Sequence, residues 1–382
     1  MKKILIFFII ILAIIILLAP KLTDTNKPQE TSVIDQELKN KIGQMIIIGF
    51  RGTEAQENSD VHKIITDIKP GGVILFDYDV PSNSFPRNIV SYEQTKKLIA
   101  DLKSYSSTPL FTAVDAEGGA VNRLKEKYGF LPIVSAEKMG KDLTLETTKE
   151  ESEKLAEELS KLGFNMNFAP VVDLNINNKN PIIGGLERSF SSDPKIVINN
   201  AKVFIESHNK NNIVAVAKHF PGHGSSTGDS HLGLVDVTNT YQAKELDPYI
   251  ELQKTHLLNA VMTAHIINKN IDKEYPATLS YNFIQKILRD QVGFDGVVIS
   301  DDMQMNAIVN SFGTKEAIIK AINAGCDMLL LSNNGTAEYN KNLPYEAVDI
   351  IYNAVKEGII SEERIEESYK RIYELKRKFG II

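Results

Sequence analysis

Short apolar runs recur along the chain from about Val33, and amphipathic stretches separate most of them. Buried runs of this kind are typical of strands in a parallel sheet, whereas apolar residues spaced three and four apart indicate a helix with one buried face. The predicted strands are Met45–Phe50, Gly72–Phe76, Leu110–Val114, Phe164–Leu174, Val214–His219, Ala260–His265, Gly296–Ser300 and Met328–Leu331. The clearest predicted helices between them are Tyr92–Lys103, Thr147–Leu162, Pro194–Asn209, Leu279–Gln291 and Thr314–Ala324.

This alternation predicts an α/β fold built as a single (β/α)8 TIM-type barrel. A doubly wound open sheet is the alternative that the same pattern allows. The last amphipathic stretch, Ser361–Phe379, begins at a serine N-cap with acidic residues in its first turn and ends at Gly380, so it predicts a closing helix. We assign residues 35–382 to the barrel and expect no second domain after it.

The N-terminus has the pattern of a targeting segment. Lys2 and Lys3 precede an unbroken apolar run from Ile4 to Ala19, which ends at Pro20. The run is long for a signal-peptide core and short for a membrane span, and its end matches a cleavage site poorly. We expect residues 1–20 to be a membrane anchor, with a cleaved signal peptide as the alternative, and residues 21–34 to be a flexible linker. Because positive charge precedes the run, we expect the rest of the chain to lie outside the cell membrane.

Composition excludes two classes of protein. The net charge of −6 over 382 residues provides no basic surface for nucleic acid. The single cysteine, Cys326, excludes an intrachain disulfide framework and is expected to be a small buried residue. No feature implies a protein partner.

Charged and imidazole groups follow consecutive predicted strands, where a parallel barrel places its active site. They are Asp115 after the third strand, Asp173 after the fourth, Lys218 and His219 at the fifth, His265 at the sixth, and Asp301 with Asp302 at the seventh. The fifth strand runs into a glycine-rich loop that carries three of the seven histidines, His219, His223 and His231. Because unpaired buried charges are costly, we expect these groups to surround a polar ligand.

Several motifs carry a resemblance to a known family. They are Asp115-Ala116-Glu117-Gly118-Gly119 with Arg123, Arg188-Ser189-Phe190-Ser191-Ser192-Asp193-Pro194, Lys218-His219-Phe220-Pro221-Gly222-His223-Gly224 with Asp229-Ser230-His231, and Ser300-Asp301-Asp302-Met303 with Met305. In order and spacing, from about Ile42 to Leu331, the chain resembles glycoside hydrolase family 3, and within it the bacterial β-N-acetylglucosaminidases. The family fold is a TIM-type barrel, in agreement with the strand pattern.

The resemblance implies a retaining exo-glycosidase that removes terminal β-linked N-acetylglucosamine from peptidoglycan fragments or related glycosides. It implies Asp301 as the nucleophile, with Asp302 beside it, and His231 as the acid/base, paired with Asp229. Sugar binding falls to five residues: Asp115, Arg123, Arg188, Lys218 and His219. No cofactor and no metal are required, and His223 is expected to shape the loop.

One departure from the family pattern and several alternatives remain. Many members have Gly-Asp-Thr where this chain has Gly224-Ser225-Ser226, so a loop carboxylate is missing. A β-glucosidase is the alternative within the family, although such enzymes typically take their acid/base from a second domain. Outside the family, His219, His223, Asp229 and His231 could form the metal cluster of a metal-dependent hydrolase. A sugar-binding protein without turnover is the other alternative.

Overall fold

The computed structural model describes residues 27–230 and 232–382, and side chains from residue 33 onward. Two compact units divide the chain between Leu38 and Lys39. The predicted anchor lies outside the described residues, and none of the helices in the described ranges is both long and apolar enough to cross a membrane. Residues 27–34, predicted as linker, instead begin the helix Lys27–Gln44. Lys, Gln and Glu are good helix formers, and Pro28 is tolerated in a first turn.

Eight parallel strands form the centre of the second unit. They are β1 (Ile46–Gly49), β2 (Gly72–Ile74), β3 (Phe111–Val114), β4 (Met166–Asn167), β5 (Val214–Phe220), β6 (Ala260–Thr263), β7 (Val297–Ile299) and β8 (Leu329–Leu331). Each strand pairs with its neighbours in chain order, and β8 pairs with β1 in the register Ile47 to Leu330. A parallel bridge between Ile299 and Met328 joins β7 to β8, so the sheet closes into a barrel. The barrel prediction is confirmed, and an open doubly wound sheet is excluded.

A helix follows each of the eight strands along the chain. After Lys27–Gln44 the helices are Asp60–Ile68, Tyr92–Tyr105, Ala136–Lys141, Glu146–Leu162, Pro194–Lys210, Asp247–Lys254, the π-helix Asn282–Gln291, Asn306–Phe312, Thr314–Ala324, Leu343–Lys356 and Glu362–Lys378. Short 3-10 turns lie at Glu126–Tyr128, Gly184–Leu186, Ala243–Leu246 and Ala277–Leu279. Two small sheets, Ala116–Gly118 with Val121–Asn122 and Val235–Asp236 with Ile266–Ile267, lie outside the barrel sheet. The strands are built from β-branched and other apolar residues because both of their faces are buried.

The predicted closing helix is present as Glu362–Lys378, and the Ser361 side chain caps it by accepting the Arg364 N–H. This helix contacts Asp327 at the amino-terminal end of the barrel. Asp327 lies just before β8 and is fully buried. The Asp327 carboxylate binds guanidinium groups of Arg364 at 2.6 Å and Arg371 at 3.1 Å, and that of Arg289 at 2.7 Å. We call these residues the floor cluster. Burial would raise the pKa of Asp327, but the arginines outweigh it and lower that pKa.

A buried lysine lies at the same end of the barrel. Lys376 Nζ donates to Gln44 Oε1 at 2.7 Å and to the Pro109 carbonyl at 2.6 Å. Burial lowers the pKa of Lys376 to about 7, since both acceptors are uncharged. Cys326 is buried beside the floor cluster, as its sequence context predicted.

Candidate active site

A cavity of about 360 Å³ opens at the carboxyl-terminal ends of the strands. Its walls combine apolar side chains of the barrel with charged side chains from the loops that follow the strands. Six of the predicted site residues line it: Asp115, Arg123, Arg188, Lys218, His219 and Asp301. Their convergence follows from the topology, because the ends of parallel strands meet at one edge of the sheet.

The charged wall centres on Glu117, which is buried directly after β3. Arg188 binds its two carboxylate oxygens through Nε and Nη2, each at 2.7 Å, and Lys218 Nζ lies 2.6 Å from Oε1. Burial alone would raise the pKa of Glu117, but the charges of Arg188 and Lys218 hold it at about 2. Glu117 therefore stays ionised and keeps both cations in fixed positions.

Asp115 extends this arrangement to the cavity surface. Lys218 Nζ donates to Asp115 Oδ1 at 2.9 Å, and Arg123 Nη2 lies 3.8 Å from Asp115 Oδ2. Together with Glu117 and Arg188, these residues form what we call the mouth cluster. Fixed donors and acceptors at a polar cavity suit the directional hydrogen bonding of sugar hydroxyls.

His219 is oriented by two partners. Its Nδ1 lies 2.7 Å from Oδ2 of the fully buried Asp173, and its Nε2 lies 3.3 Å from Arg188 Nη2. Because a guanidinium only donates, Nε2 is the acceptor and the ring proton lies on Nδ1, where it is donated to Asp173. Asp173 also accepts the His223 backbone N–H at 2.7 Å. Burial would raise the pKa of Asp173, but the His219 ring and these N–H groups lower it.

Two adjacent carboxylates follow β7, and both line the cavity. Asp301 Oδ1 accepts the Asp302 backbone N–H at 2.8 Å. Asp302 turns toward the β8 loop, where it accepts the Ser332 N–H at 3.2 Å and the Ser332 hydroxyl. Burial raises the pKa of Asp302 to about 6, and the Asp301 charge acts in the same direction. The two neighbours therefore differ in environment, because Asp302 is hydrogen-bonded to the loop that follows β8.

The glycine-rich loop after β5 contributes His223 and Ser230 to the cavity. Within the loop, His223 Nδ1 lies 2.7 Å from Ser226 Oγ, and its Nε2 lies 3.3 Å from Ser230 Oγ. Burial lowers the pKa of His223 to about 4, so its ring is neutral at pH 7. His223 thus makes bonds within the loop, as predicted, and also faces the cavity.

Of the predicted acid/base pair, Asp229 and His231, the structure describes Asp229 alone. Asp229 is half-buried in the loop and does not line the cavity, and His231 lies outside the described residues. Over residues 27–230 and 232–382, no three His, Cys, Asp or Glu side chains are placed to hold a metal ion.

The sequence pattern placed Asp173 among the groups at the strand ends but gave no role to it or to Glu117. Glu117 stands two residues after Asp115, and residues two apart on an extended segment share a face. This spacing is the sequence feature that could have assigned Glu117 to the same site as Asp115. The partners of Asp173 lie 46 residues or more further along the chain, and no local pattern reports such a pairing.

A closed parallel barrel with clustered carboxylates, cations and imidazoles at its carboxyl-terminal mouth is the architecture of a barrel enzyme that acts on a polar substrate. The chain matches the glycosyl hydrolase family 3 N-terminal domain over residues 37–375. It belongs to this family and is a glycoside hydrolase, as the motifs predicted.

Three similar proteins have names that point to the same kind of glycosidase. A protein named beta-hexosaminidase from Tolumonas auensis is 35% identical over 292 residues, which are 76% of this chain and 83% of that protein. A glycoside hydrolase family 3 beta-N-acetylglucosaminidase structure from Paenibacillus sp. is 35% identical with a TM-score of 0.80, covering 90% of this chain but only 63% of that one. A beta-N-acetylhexosaminidase structure from Beutenbergia cavernae is 25% identical with a TM-score of 0.79, covering 89% of this chain and 98% of that one.

Proposed function

We propose that this chain is a retaining exo-glycosidase that removes terminal β-linked N-acetylglucosamine, with peptidoglycan fragments or related glycosides as substrates. The observation that carries the proposal is the cavity at the barrel mouth, which Asp301 lines together with Asp115, Arg123, Arg188 and Lys218 of the mouth cluster. The names of the relatives support the choice of N-acetylglucosamine.

The proposed reaction proceeds through a covalent intermediate on Asp301. One Asp301 carboxylate oxygen attacks the anomeric carbon, and the bond between that carbon and the leaving-group oxygen breaks. Protonated His231 gives its proton to the leaving-group oxygen. Water then attacks the anomeric carbon and gives a proton back to His231, and the bond to Asp301 breaks. Asp229 would accept a hydrogen bond from the other His231 nitrogen and so fix its tautomer.

The mouth cluster supplies binding in this proposal. Arg188, Lys218 and Arg123 donate to sugar hydroxyls, Asp115 accepts from them, and His219 is held in position by Asp173 and Arg188. Charge-assisted hydrogen bonds of fixed direction distinguish a sugar by the positions of its hydroxyl groups.

The substrate assignment is tested with matched p-nitrophenyl glycosides on the full-length chain in detergent. We expect faster release of p-nitrophenol from the β-N-acetylglucosaminide than from the β-glucoside. The two substrates differ only at the 2-position, so their ratio isolates recognition of the acetamido group. A preference for the glucoside would replace the proposed substrate with that of a β-glucosidase, and turnover of neither would favour a sugar-binding protein.

We also propose that residues 1–20 anchor the enzyme in the cell membrane with its catalytic domain outside. Lys2 and Lys3 before the apolar run support this orientation. The full-length chain should sediment with membranes and be digested by protease added to intact cells. A mature chain that begins near Pro20 would instead identify a cleaved export signal.

A further inference from the structure

Glu245 is a buried carboxylate that the proposed reaction does not use. It lies in the 3-10 turn Ala243–Leu246, and 1% of its surface is exposed. Glu245 is in no ion pair with a lysine, arginine or histidine of the described ranges. A buried carboxylate without a cation is costly, so its hydrogen bonds must compensate for lost hydration.

Both oxygens of Glu245 accept backbone N–H groups, and the two donors belong to different elements. Oε1 accepts the Gln242 N–H at 3.0 Å, which fixes the carboxylate on its own turn. Oε2 accepts the Ser225 N–H at 3.1 Å, which belongs to the glycine-rich loop after β5. The carboxylate therefore joins this loop to the scaffold beneath it.

The loop also packs directly on Glu245. Gly222 adopts a φ of +130°, and a methyl group added there would lie 2.6 Å from the Glu245 Cβ. Beside this contact, the Tyr241 hydroxyl donates to the Pro221 carbonyl at 3.2 Å. The close approach requires glycine, so the first half of the loop rests on the turn that carries Glu245.

A second buried side chain, that of Asn180, holds the same part of the loop. Asn180 Nδ2 donates to the His223 carbonyl at 2.8 Å and to Ser226 Oγ at 2.9 Å. From Ser226 the connection continues through the His223 ring to Ser230 Oγ. Ser230 lies in the chain between Asp229 and His231, so the anchored half of the loop leads directly to the proposed acid/base pair.

We infer that Glu245 is a positioning residue, whose carboxylate fixes the loop Pro221–Ser230 and thereby orients His223 and Ser230 at the cavity, next in the chain to the proposed acid/base pair. The inference rests on the proposed function. Burial raises the pKa of Glu245 to about 7, and nearby Asp173 acts in the same direction; Tyr241 and Tyr249 also face it. The ionised carboxylate is the form that can accept from both N–H groups.

Glu245→Gln tests this role with almost no change of shape. A glutamine side chain has one acceptor oxygen, and its amide group must face the other N–H donor, so one of the two bonds is lost. In the full-length chain in detergent, we expect kcat/KM for an N-acetylglucosaminyl disaccharide to fall about tenfold or more, and that for the p-nitrophenyl glycoside to fall less than about threefold. The difference arises because a sugar leaving group needs a proton and p-nitrophenolate scarcely does.

Glu158→Gln is the matched control. Glu158 is also a buried glutamate that accepts one backbone N–H, from Leu131, but it does not contact the loop. Equal losses on both substrates in Glu245→Gln, or the same leaving-group pattern in Glu158→Gln, would overturn the inference. If Glu245→Gln does not fold, Gly222→Ala disturbs the same contact from the loop side, and it too must affect the disaccharide more strongly.

The test separates this inference from the function on which it rests. A wild-type chain that turns over neither substrate refutes the proposed function. A wild-type chain that is active, and in which His231→Ala affects the disaccharide selectively while Glu245→Gln does not, refutes only the positioning role.

Discussion

The mouth and the floor of the barrel both contain a buried carboxylate surrounded by cations. At the mouth, Glu117 binds Arg188 and Lys218, and at the floor Asp327 binds Arg289, Arg364 and Arg371. The clusters differ in what lies beside them. Arg188 and Lys218 line the cavity, whereas no member of the floor cluster does. The same ion-pair chemistry therefore serves substrate binding at one end and connection of the last helix to the barrel at the other.

This contrast explains why burial and charge do not by themselves identify an active site. Buried ion pairs contribute little net stability but are costly to break by removing one partner, so both clusters should be sensitive to substitution. The two clusters should differ in the property that a substitution changes, which is activity at the mouth and stability at the floor.

The largest effect is expected at the mouth for Asp301→Ala. Without a nucleophile the glycosyl-enzyme cannot form, and turnover should fall on the order of 10⁴-fold, while the melting temperature stays near that of the wild type. The measurement is p-nitrophenol release beside a thermal unfolding curve. An active Asp301→Ala together with an inactive Asp302→Ala would reverse the two assignments.

At the floor, Asp327→Asn should lower the free energy of unfolding by about 3–5 kcal/mol, because it leaves buried guanidinium groups without their counter-charge. Urea unfolding followed by circular dichroism measures the change. The kcat/KM of the folded fraction should remain within about twofold of wild type, since the cluster is remote from the cavity. A loss of activity without loss of stability would show that the floor cluster affects the active site at the mouth.

Glu117→Gln is the corresponding change at the mouth. It halves the acceptor capacity for Arg188 and removes the charge that holds Lys218, so both donors should lose their fixed positions. We expect kcat/KM to fall on the order of 10²-fold, with a larger effect on activity than Asp327→Asn has. Similar kinetics for the two variants would remove the distinction between the clusters.

The smallest effect concerns pH and Lys376. Its pKa is lowered to about 7 in the folded state, while the unfolded chain retains the ordinary value of 10.5. Between these values the unfolded state binds the extra proton, so the stability contributed by this group rises with pH and is lost as pH falls toward 7. From pH 7.5 to 9.5 the gain should be about 2 kcal/mol in wild type.

Lys376→Met should lack this gain, and the readout is the difference between variant and wild type at the two pH values. Lys161→Met, which replaces an exposed lysine, should retain it. An unchanged pH dependence in Lys376→Met would mean that the buried ammonium titrates near its ordinary value.

The strands could be predicted from sequence because each contains a short apolar run between polar segments, although the fourth strand, Met166–Asn167, is much shorter than the predicted run. The ends of the third to seventh runs locate residues at the mouth. The helix Thr314–Ala324 was predicted to the residue, since Gly325 ends it with a φ of +121°. The floor cluster could not be predicted, because Asp327 and Arg371 are 44 positions apart and periodicity carries no information on such pairs. The same limit applies to Asp173 with His219.

The separation of the two clusters has an evolutionary consequence. Substitutions that alter a binding site commonly cost stability, and a protein tolerates them only while it remains above the threshold for folding. In this barrel the floor cluster and the last helix lie away from the cavity, so drift in the mouth loops leaves them intact. The pair Ser225–Ser226, where many members have Asp-Thr, is such a loop change. A lineage with this floor can therefore explore new aglycones without first rebuilding its scaffold.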